Sequence, residues 1–279
     1  MSTERRAGSV RPGSTTARHP APTRGARNVP SAPDRIRIYR TSAEALLRAL
    51  PDGSIDVLVT DPPYTTVERR AGSGHLRDWF RGGMSWTEIG KVLALGRRKL
   101  RASGVALVMT NGAGLREAIT AMQRAGFSDL RTITWDRRWP GLGGGLRHQT
   151  EFILLARLAG RRRLTGTDLV SVSAVGPGTA DHYPTEKPEG LGRILARMTG
   201  VGPGQLVVDP FCGSGALLVG AAERGATVVG GDISARAVRR ATARLREPVR
   251  GGPRAAPTGR PSAAPTKRRR APGRRAGPR

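Results

Sequence analysis

Residues 55–64 read IDVLVTDPPY, and this stretch decides the fold of the chain. Its first five residues are apolar and mostly β-branched apart from Asp56, which is the composition of a short buried strand that ends at Thr60. Pro62 and Pro63 end the strand because neither has an N–H to continue a ladder, and each favours extended geometry in the residue before it. The pattern therefore predicts a central strand followed by a rigid turn.

The turn at residues 61–64 carries distinctive chemistry. Asp61 offers a carboxylate, Tyr64 offers an aromatic face, and the imide carbonyls have no local N–H competing for them. Open α/β sheets bind their ligands at this edge, beyond the carboxyl ends of the strands. Such a slot suits a planar exocyclic amine, whose two N–H groups meet two acceptors while its ring stacks on Tyr64. The alternative is a turn that Asp61 only caps and in which Tyr64 only packs, and the tetrapeptide alone leaves both open.

Strand-like and helix-like stretches alternate on both sides of this turn. The predicted strands are 35–39, 105–109, 130–135, 152–156, 206–208 and 227–229, and the predicted helices are 43–50, 85–101, 115–125, 189–199, 215–224 and 234–246. This alternation predicts an α/β fold, a doubly wound and mostly parallel sheet with helices on both faces. We expect residues 65–83 to form a mobile loop over the slot and residues 160–181 to form a loop.

Composition divides the chain into three parts. Residues 1–34 and 248–279 are rich in Arg, Pro and Gly, and we expect both to be disordered basic tails. Between them lies one domain, with a catalytic half, a short linker and recognition segment, and a cofactor half, at residues 35–160, 161–181 and 182–247.

The net charge of +27 indicates a polyanionic partner. The first tail carries six basic and two acidic residues and the second carries ten basic and none acidic, so the body between them keeps +13. The partner is therefore predicted to be a nucleic acid, with the tails on its phosphates. For the tails, a general compositional bias is the alternative explanation.

The remaining composition excludes several classes of protein. Cys212 is the single cysteine, so no internal disulfide can form, and the four histidines are scattered without metal-ligand spacing. The sequence shows no secretory signal and no apolar run of membrane-spanning length. We expect a cytoplasmic protein without a metal ion and without a membrane partner.

Residues 206–215, LVVDPFCGSG, form a second constellation: a strand, a glycine turn and a helix start. A dinucleotide would need a third glycine where Leu218 stands, so a nucleoside cofactor without a pyrophosphate fits better, and S-adenosylmethionine is the common one. Asp209 would suit its cationic amino-acid portion, and Asp232, after the next strand, would accept from ribose hydroxyls. A generic βαβ turn is the alternative.

Three motifs in this order resemble the β group of amino-directed DNA methyltransferases. They are DPPY, then HYPTEKP at residues 182–188, then DPFCGSG with Gly231-Asp232, and the resemblance extends over nearly all of residues 36–246. In that permuted group the catalytic tetrapeptide precedes the cofactor half. The resemblance implies a catalytic pocket for an extruded base, formed by Asp61, Pro62, Pro63 and Tyr64. It also implies an S-adenosylmethionine site formed by Thr185, Lys187, Asp209, Phe211, Gly213, Gly215 and Asp232.

The sequence departs from the pattern of that group in two places. Thr41-Ser42 stands where the group usually has Gly-Asp, and Ser42 would replace the contact of that Asp with the cofactor's adenine only weakly. The recognition region between Phe152 and the Thr-x-Lys-Pro segment is also too short to form a domain. Sequence specificity is therefore expected to be low, or to come from residues 65–83, from the tails or from another subunit.

The sequence thus predicts an S-adenosylmethionine-dependent DNA methyltransferase acting on adenine N6, of the kind found in restriction–modification. Adenine is preferred because related enzymes with Asp before Pro-Pro usually make N6-methyladenine. The alternatives are an N4-cytosine enzyme, a non-catalytic nucleic-acid-binding relative, and an RNA or protein methyltransferase, which the motif order and Asp61 disfavour. A partner endonuclease or recognition subunit and the oligomeric state are left open.

Overall fold

The structure is a computed structural model, and it describes residues 35–64, 83–140, 145–160, 162–175 and 186–246. The predicted tails, the predicted loop except for Gly83, and Thr185 lie outside these ranges. The expectations about them therefore stay predictions.

Eight strands form one sheet in the described part of the chain. In sequence order they are β1 Ile36–Arg40, β2 Ile55–Thr60, β3 Leu100–Thr110, β4 Asp129–Asp136, β5 Thr150–Arg157, β6 Leu169–Ser171, β7 Leu206–Asp209 and β8 Thr227–Asp232. Their order across the sheet is β1-β8-β7-β2-β3-β5-β4-β6. Every neighbouring pair is parallel except the two that β5 makes with β3 and β4. The predicted doubly wound, mostly parallel sheet is confirmed.

Helices cover both faces of the sheet. They are α1 Ala43–Arg48, α2 Trp86–Lys99, α3 Leu115–Arg124, α4 Glu189–Thr199, α5 Val219–Glu223 and α6 Ala235–Arg246. Apolar residues of α1, α2 and α3 pack in one buried cluster, and those of α4, α5 and α6 pack in the other. Val57 and Val59 of β2 point into the second cluster and Leu58 into the first, as the alternation of a strand requires. Strand β2 therefore lies at the centre of the core.

The one charge in β2 is buried for a structural reason. Asp56 is 5% exposed, and its Oδ2 accepts from the backbone N–H of Leu206 at 2.9 Å. Arg101 adds an ion pair at 3.5 Å. Since Leu206 begins β7, this carboxylate attaches the amino end of β2 to the neighbouring strand, 150 residues further along the chain.

Two predicted elements were wrong in extent. Strand β3 begins at Leu100, five residues before the predicted start, because Leu100 pairs with Ile55, and residues 101–104 form an irregularity before the pairing resumes at Val57 with Val105. The stretch predicted as a loop contains β6, which pairs with β4 at the sheet edge but is only three residues long. Neither segment has the apolar alternation by which a strand is recognised in a sequence.

Candidate active site

The two predicted motifs meet at the centre of the sheet. Strands β2 and β7 are parallel neighbours, in register at Val57 with Val207 and at Leu58 with Val208. Parallel strands end at the same edge, and the hydroxyl of Thr60 donates to Asp209 Oδ1 at 2.8 Å there. The structure therefore brings the DPPY turn and the glycine turn together at one ligand-binding edge.

The DPPY turn is closed by its own backbone. The N–H of Tyr64 donates to the Pro62 carbonyl at 2.9 Å, and the N–H of Met84 donates to the Pro63 carbonyl at 2.6 Å. The prediction that no local N–H competes for the Pro62 carbonyl is therefore wrong. The reason is that Tyr64 carries the first N–H after two prolines and folds back in a three-residue turn. The Pro62 oxygen retains a second lone pair for another donor.

Tyr64 stacks on a tryptophan that the sequence analysis did not assign to the site. Tyr64 is 7% exposed, and its ring centroid lies 5.6 Å from that of Trp86, with 16° between the planes. Burial raises the pKa of the Tyr64 phenol, and Asp61 adds to the rise, so the phenol stays neutral. Trp86 is the first residue of α2, which a capping box of Ser85 and Glu88 opens. The Ser-x-x-Glu spacing of this capping box was the signal in the sequence that Trp86 begins a helix.

Charged side chains from three parts of the chain form a linked group with Asp61. The ammonium group of Lys187 donates to Asp61 Oδ2 at 2.5 Å and lies 3.5 Å from Glu151 Oε2. The guanidinium group of Arg137 lies 3.5 Å from Glu151 Oε1. Lys187 precedes α4, Glu151 lies in β5 and Arg137 follows β4. Sequence reasoning missed Glu151 and Arg137, although a carboxylate at the start of an apolar strand was a signal.

These charges act on one another's ionisation. Burial raises the pKa of the Asp61 carboxyl, the ammonium of Lys187 opposes that rise, and the carboxylate of Glu151 adds to it. For Lys187, burial alone would lower the pKa, but Asp61 and Glu151 outweigh burial and hold it above its usual range. Lys187 is therefore a cation at neutral pH.

The glycine turn is built around two carboxylates. Asp209 Oδ1 also accepts from the N–H of Phe211 at 3.0 Å, and Asp232 Oδ2 accepts from the N–H of Gly213 at 3.1 Å. Gly213 and Gly215 have φ angles of 50° and 78°, the left-handed conformation that glycine adopts without strain. Four of the residues predicted to hold a nucleoside cofactor, Asp209, Phe211, Gly213 and Gly215, thus lie on one continuous turn, and Asp232 at the end of β8 is hydrogen-bonded to it.

Burial sets the protonation of the groups in this turn. It raises the pKa of Asp209 to about 8, against the hydrogen bonds from Thr60 and Phe211. Burial also raises the pKa of Asp232 and that of the Cys212 thiol. A buried thiol with a raised pKa is a poor nucleophile.

A network of ion pairs fastens the segment before α4 to the glycine turn. Arg244 contacts Glu186 and lies 3.0 Å from Glu189, and it donates to the hydroxyl of Ser214 at 2.7 Å. Arg240 donates to Glu186 at 3.1 Å. Both arginines belong to α6, so this helix holds Glu186 and the start of α4 against the turn. Sequence reasoning missed this network, since its members lie far apart in the chain.

Ser42 and Ile233 lie near Asp232: the N–H of Thr41, next to Ser42, donates to the Asp232 carbonyl at 3.1 Å, and Ile233 is the next residue in the chain. Ser42 accepts from the N–H of Ala45 at 3.2 Å and caps α1, so its hydroxyl already has a structural task. Ile233 is 47% exposed and directly follows Asp232. Because Asp232 is predicted to bind ribose hydroxyls, the exposed apolar side chain of Ile233 beside it would offer a surface for a planar base. The sequence analysis overlooked Ile233, although its position after the strand was readable.

The described residues contain no group of three or more His, Cys, Asp and Glu that could hold a metal ion. Within the same ranges no helix is long and apolar enough to cross a membrane.

Solved structures with the same architecture are S-adenosylmethionine-dependent methyltransferases. The M1.HpyAVI–S-adenosylmethionine complex matches with a TM-score of 0.58 and 16% identity, over 76% of this chain and 99% of that one. The PvuII DNA methyltransferase, cytosine-N4-specific, matches with a TM-score of 0.59 and 17% identity, over 76% and 88%. The protein has the fold of this class of enzyme.

The sequence comparisons indicate a methylase, and the family model that matches is one of DNA methylases. Residues 165–243 match the N6/N4 methyltransferase family, described as DNA methylase. A protein described as a methylase, YubD of Escherichia coli (strain K12), is 27% identical over 202 residues, which are 70% of this chain and 83% of that protein. Together with the fold, these findings support the coarser prediction, a DNA methyltransferase related to the N6- and N4-directed enzymes, with S-adenosylmethionine as cofactor.

Proposed function

We propose that the protein transfers a methyl group from S-adenosylmethionine to the exocyclic N6 amine of adenine in DNA. The observation that carries the proposal is the junction of Thr60 with Asp209. This junction supports the proposal because it joins the DPPY turn, with its acceptors, to the glycine turn on the adjacent strand end. A chain that only bound nucleic acid would need neither the slot nor the turn.

The residues of the turn fit the cofactor. The Asp209 carboxyl would face its cationic amino group, Asp232 would accept from the ribose hydroxyls, and Phe211 and Ile233 offer apolar surface to the adenine. Gly213 and Gly215 let the backbone approach closely. Thr185, implied by the resemblance, is proposed as a further contact. When bound, the cofactor supplies an electrophilic methyl group on a sulfonium.

The DPPY slot would prepare the amine for attack. An amino nitrogen conjugated to a base ring is a poor nucleophile because its lone pair is delocalised. If Asp61 and the free lone pair of the Pro62 oxygen accept its two N–H groups, the nitrogen is drawn towards pyramidal geometry. Pro63 keeps the turn rigid, and Tyr64, supported by Trp86, would stack on the extruded base, since enzymes that act on a base take it out of the duplex. Positioning then supplies much of the acceleration.

The same edge of the sheet carries cations for a polyanion. The connection between β4 and β5 starts and ends at this edge, because β4 runs parallel to β3 and β5 runs back. Arg138, Arg147 and His148 of this connection are exposed. With the basic tails on the phosphates, DNA is the proposed substrate. Specificity that the short 161–181 segment lacks would come from residues 65–83, from the tails or from a recognition subunit, and a partner endonuclease is left open.

The choice of adenine over cytosine rests on one residue, Asp61. Both bases present an amine that fits between Asp61 and Pro62, so the slot does not choose between them. In the permuted β group that the sequence resembles, enzymes with Asp before Pro-Pro usually methylate adenine. Asp61 therefore favours adenine. N4-methylation of cytosine is the second candidate, and the PvuII enzyme with the same fold is cytosine-N4-specific.

The test is to identify the methylated base. DNA and RNA from cells expressing the wild-type protein, and from cells expressing Asp61→Ala, are digested to nucleosides and analysed by mass spectrometry. We expect N6-methyladenine in DNA from the wild-type culture alone. N4-methylcytosine would overturn the choice of base, a methylated RNA nucleoside would overturn the choice of polymer, and no methylated product would favour the non-catalytic relative.

A further inference from the structure

Lys187 occupies an unexpected place in the candidate site. The resemblance implies that it binds the cofactor, but its ammonium group donates to Asp61 Oδ2 at 2.5 Å, across 126 residues of chain. Two hydrogen bonds instead hold other predicted cofactor residues at the glycine turn: Phe211 N–H donates to Asp209, and Gly213 N–H donates to Asp232. Lys187 therefore lies on the base side of the site.

Among the residues that the structure describes, two buried atoms of this group have no hydrogen-bond partner. They are Glu151 Oε2, which faces Lys187, and Nε of Arg137, the arginine that pairs with Glu151. Glu151 Oε2 lies 3.5 Å from the Lys187 ammonium, too far for a good hydrogen bond but close enough for strong attraction between charges. A buried, unpaired acceptor destabilises a fold, and its presence beside a reactive carboxylate calls for an explanation.

We propose that Lys187 is a positioning residue of the base pocket: it holds the Asp61 carboxylate as an acceptor for the target amine, and Glu151 holds Lys187. This role rests on the proposed amine methylation. Since Asp61 Oδ2 receives the ammonium, the carboxylate cannot rotate freely, and its other oxygen is presented to a second donor. Glu151 restrains the flexible lysine from the far side through charge.

The reaction needs Asp61 to be ionised. As the amine lone pair forms the new N–C bond, the C–S bond breaks and its electron pair goes to sulfur, which leaves the nitrogen with one proton too many. An ionised carboxylate can receive that proton, whereas a protonated carboxyl would donate towards the lone pair and oppose attack.

The groups around Asp61 make Lys187 decisive for that ionisation. Lys187, Glu151 and Tyr64 face Asp61, and Asp209 is coupled to it from the neighbouring strand. Burial and the Glu151 carboxylate raise the pKa of Asp61, and Lys187 lowers it. Without Lys187, Asp61 would hold its proton to higher pH.

The experiment compares Lys187→Met with a matched control, Lys99→Met. Lys99 is also a buried lysine, and its Nζ lies 2.7 Å from Asp52 Oδ1. This pair lies before the amino ends of β2 and β3, whereas Asp61 follows the carboxyl end of β2. The carboxyl of Asp61 is titrated by NMR in protein labelled with ¹³C-aspartate and assigned with Asp61→Asn. The affinity for S-adenosylmethionine is measured by calorimetry on the same samples.

We expect Lys187→Met to move the Asp61 titration up by about one to three pH units, the range for losing a close opposite charge, with cofactor affinity within about threefold of wild type. Lys99→Met should change neither. An unmoved titration with cofactor affinity reduced about tenfold or more would assign Lys187 to the cofactor and overturn the proposal. Lys187→Gln repeats the test if the methionine variant does not fold.

Glu151 is tested by a double-mutant cycle in which the methyl-transfer rate is measured. If Glu151 acts through Lys187, Glu151→Gln combined with Lys187→Met should be no slower than Lys187→Met alone, whereas additive losses would contradict that link. If the wild-type protein binds no cofactor and methylates no nucleic acid, that result would contradict the proposed function instead. The Asp61 titration would still decide whether Lys187 controls Asp61.

Discussion

The hydroxyl of Thr60 donates to Asp209 Oδ1 at 2.8 Å and thereby joins the last residues of two neighbouring strands. One strand leads into the DPPY turn and the other into the glycine turn. The bond fixes the separation of the two turns, across which a methyl group would have to pass. It also holds Asp209 in the orientation from which its Oδ1 accepts from Phe211.

Thr60→Val should therefore weaken both the fold and the cofactor site. Losing the hydroxyl leaves a buried acceptor short of one donor, and we expect the free energy of unfolding to fall by about 1 kcal/mol and the cofactor dissociation constant to rise about fivefold. Thr199→Val is the control, since Thr199 is equally buried and its hydroxyl donates to Leu195 O at 2.9 Å within α4. It should lower stability alone. Equal effects of both variants on the dissociation constant would contradict the role of Thr60.

Cofactor binding should release a proton from Asp209. With a pKa of about 8 this carboxyl is mostly protonated at pH 7, and a bound ammonium group would favour the ionised form. Binding should therefore weaken as the pH falls below about 8. Calorimetry at pH 7 in buffers with different heats of ionisation gives the number of protons released. We expect about one for the wild type and near zero for Asp209→Asn. The same release in both would mean that Asp209 does not meet the cation.

Gly215→Ala should disrupt the glycine turn beyond the cost of its φ angle. Gly215 has φ 78°, and an added Cβ would lie 3.0 Å from the Ala241 Cβ of α6. Gly204 has φ 75° with nothing within 4 Å of an added Cβ, so Gly204→Ala isolates the backbone strain. We expect Gly204→Ala to cost about 1–2 kcal/mol in thermal or denaturant unfolding, and Gly215→Ala to cost more. Equal losses of stability in the two variants would show that α6 accommodates the added methyl group at no cost.

Removing residues 248–279 should flatten the salt dependence of DNA binding. The segment carries ten basic and no acidic residues, and each lost phosphate contact lowers the slope of log affinity against log salt by about 0.9. The slope is measured by fluorescence anisotropy on one duplex at several salt concentrations. An unchanged slope would assign backbone binding to residues 1–247 and leave the tail's charge as compositional bias.

Much of this arrangement was predictable from local sequence. The prolines after β2 remove ladder donors, and so the strand end at Thr60 was readable. Helix α4 runs over Glu189–Thr199 as predicted, because its apolar spacing is regular and Gly200, with φ 62°, ends it. The motif order and the position of Asp232 at the carboxyl end of β8 were likewise visible.

What sequence could not show depends on contacts between distant segments. The reversal of β5 is set by pairing with β3 and β4, which leaves no local signature. Lys187 approaches Asp61 only because the segment before α4 is fixed to the glycine turn by arginines of α6. The charged surroundings of the slot are thus a tertiary property, and individual motifs reveal only its parts.

The most direct test of the account measures methyl transfer and cofactor affinity together in Asp61→Ala. Purified protein is given S-adenosylmethionine with a labelled methyl group and duplexes from which adenine or cytosine amines have been removed in turn, and calorimetry gives the cofactor dissociation constant. We predict label on adenine N6 for the wild type, and for Asp61→Ala a loss of rate of about 10²-fold or more with the dissociation constant nearly unchanged. Undiminished transfer by Asp61→Ala would contradict the central claim that the DPPY slot receives the amine.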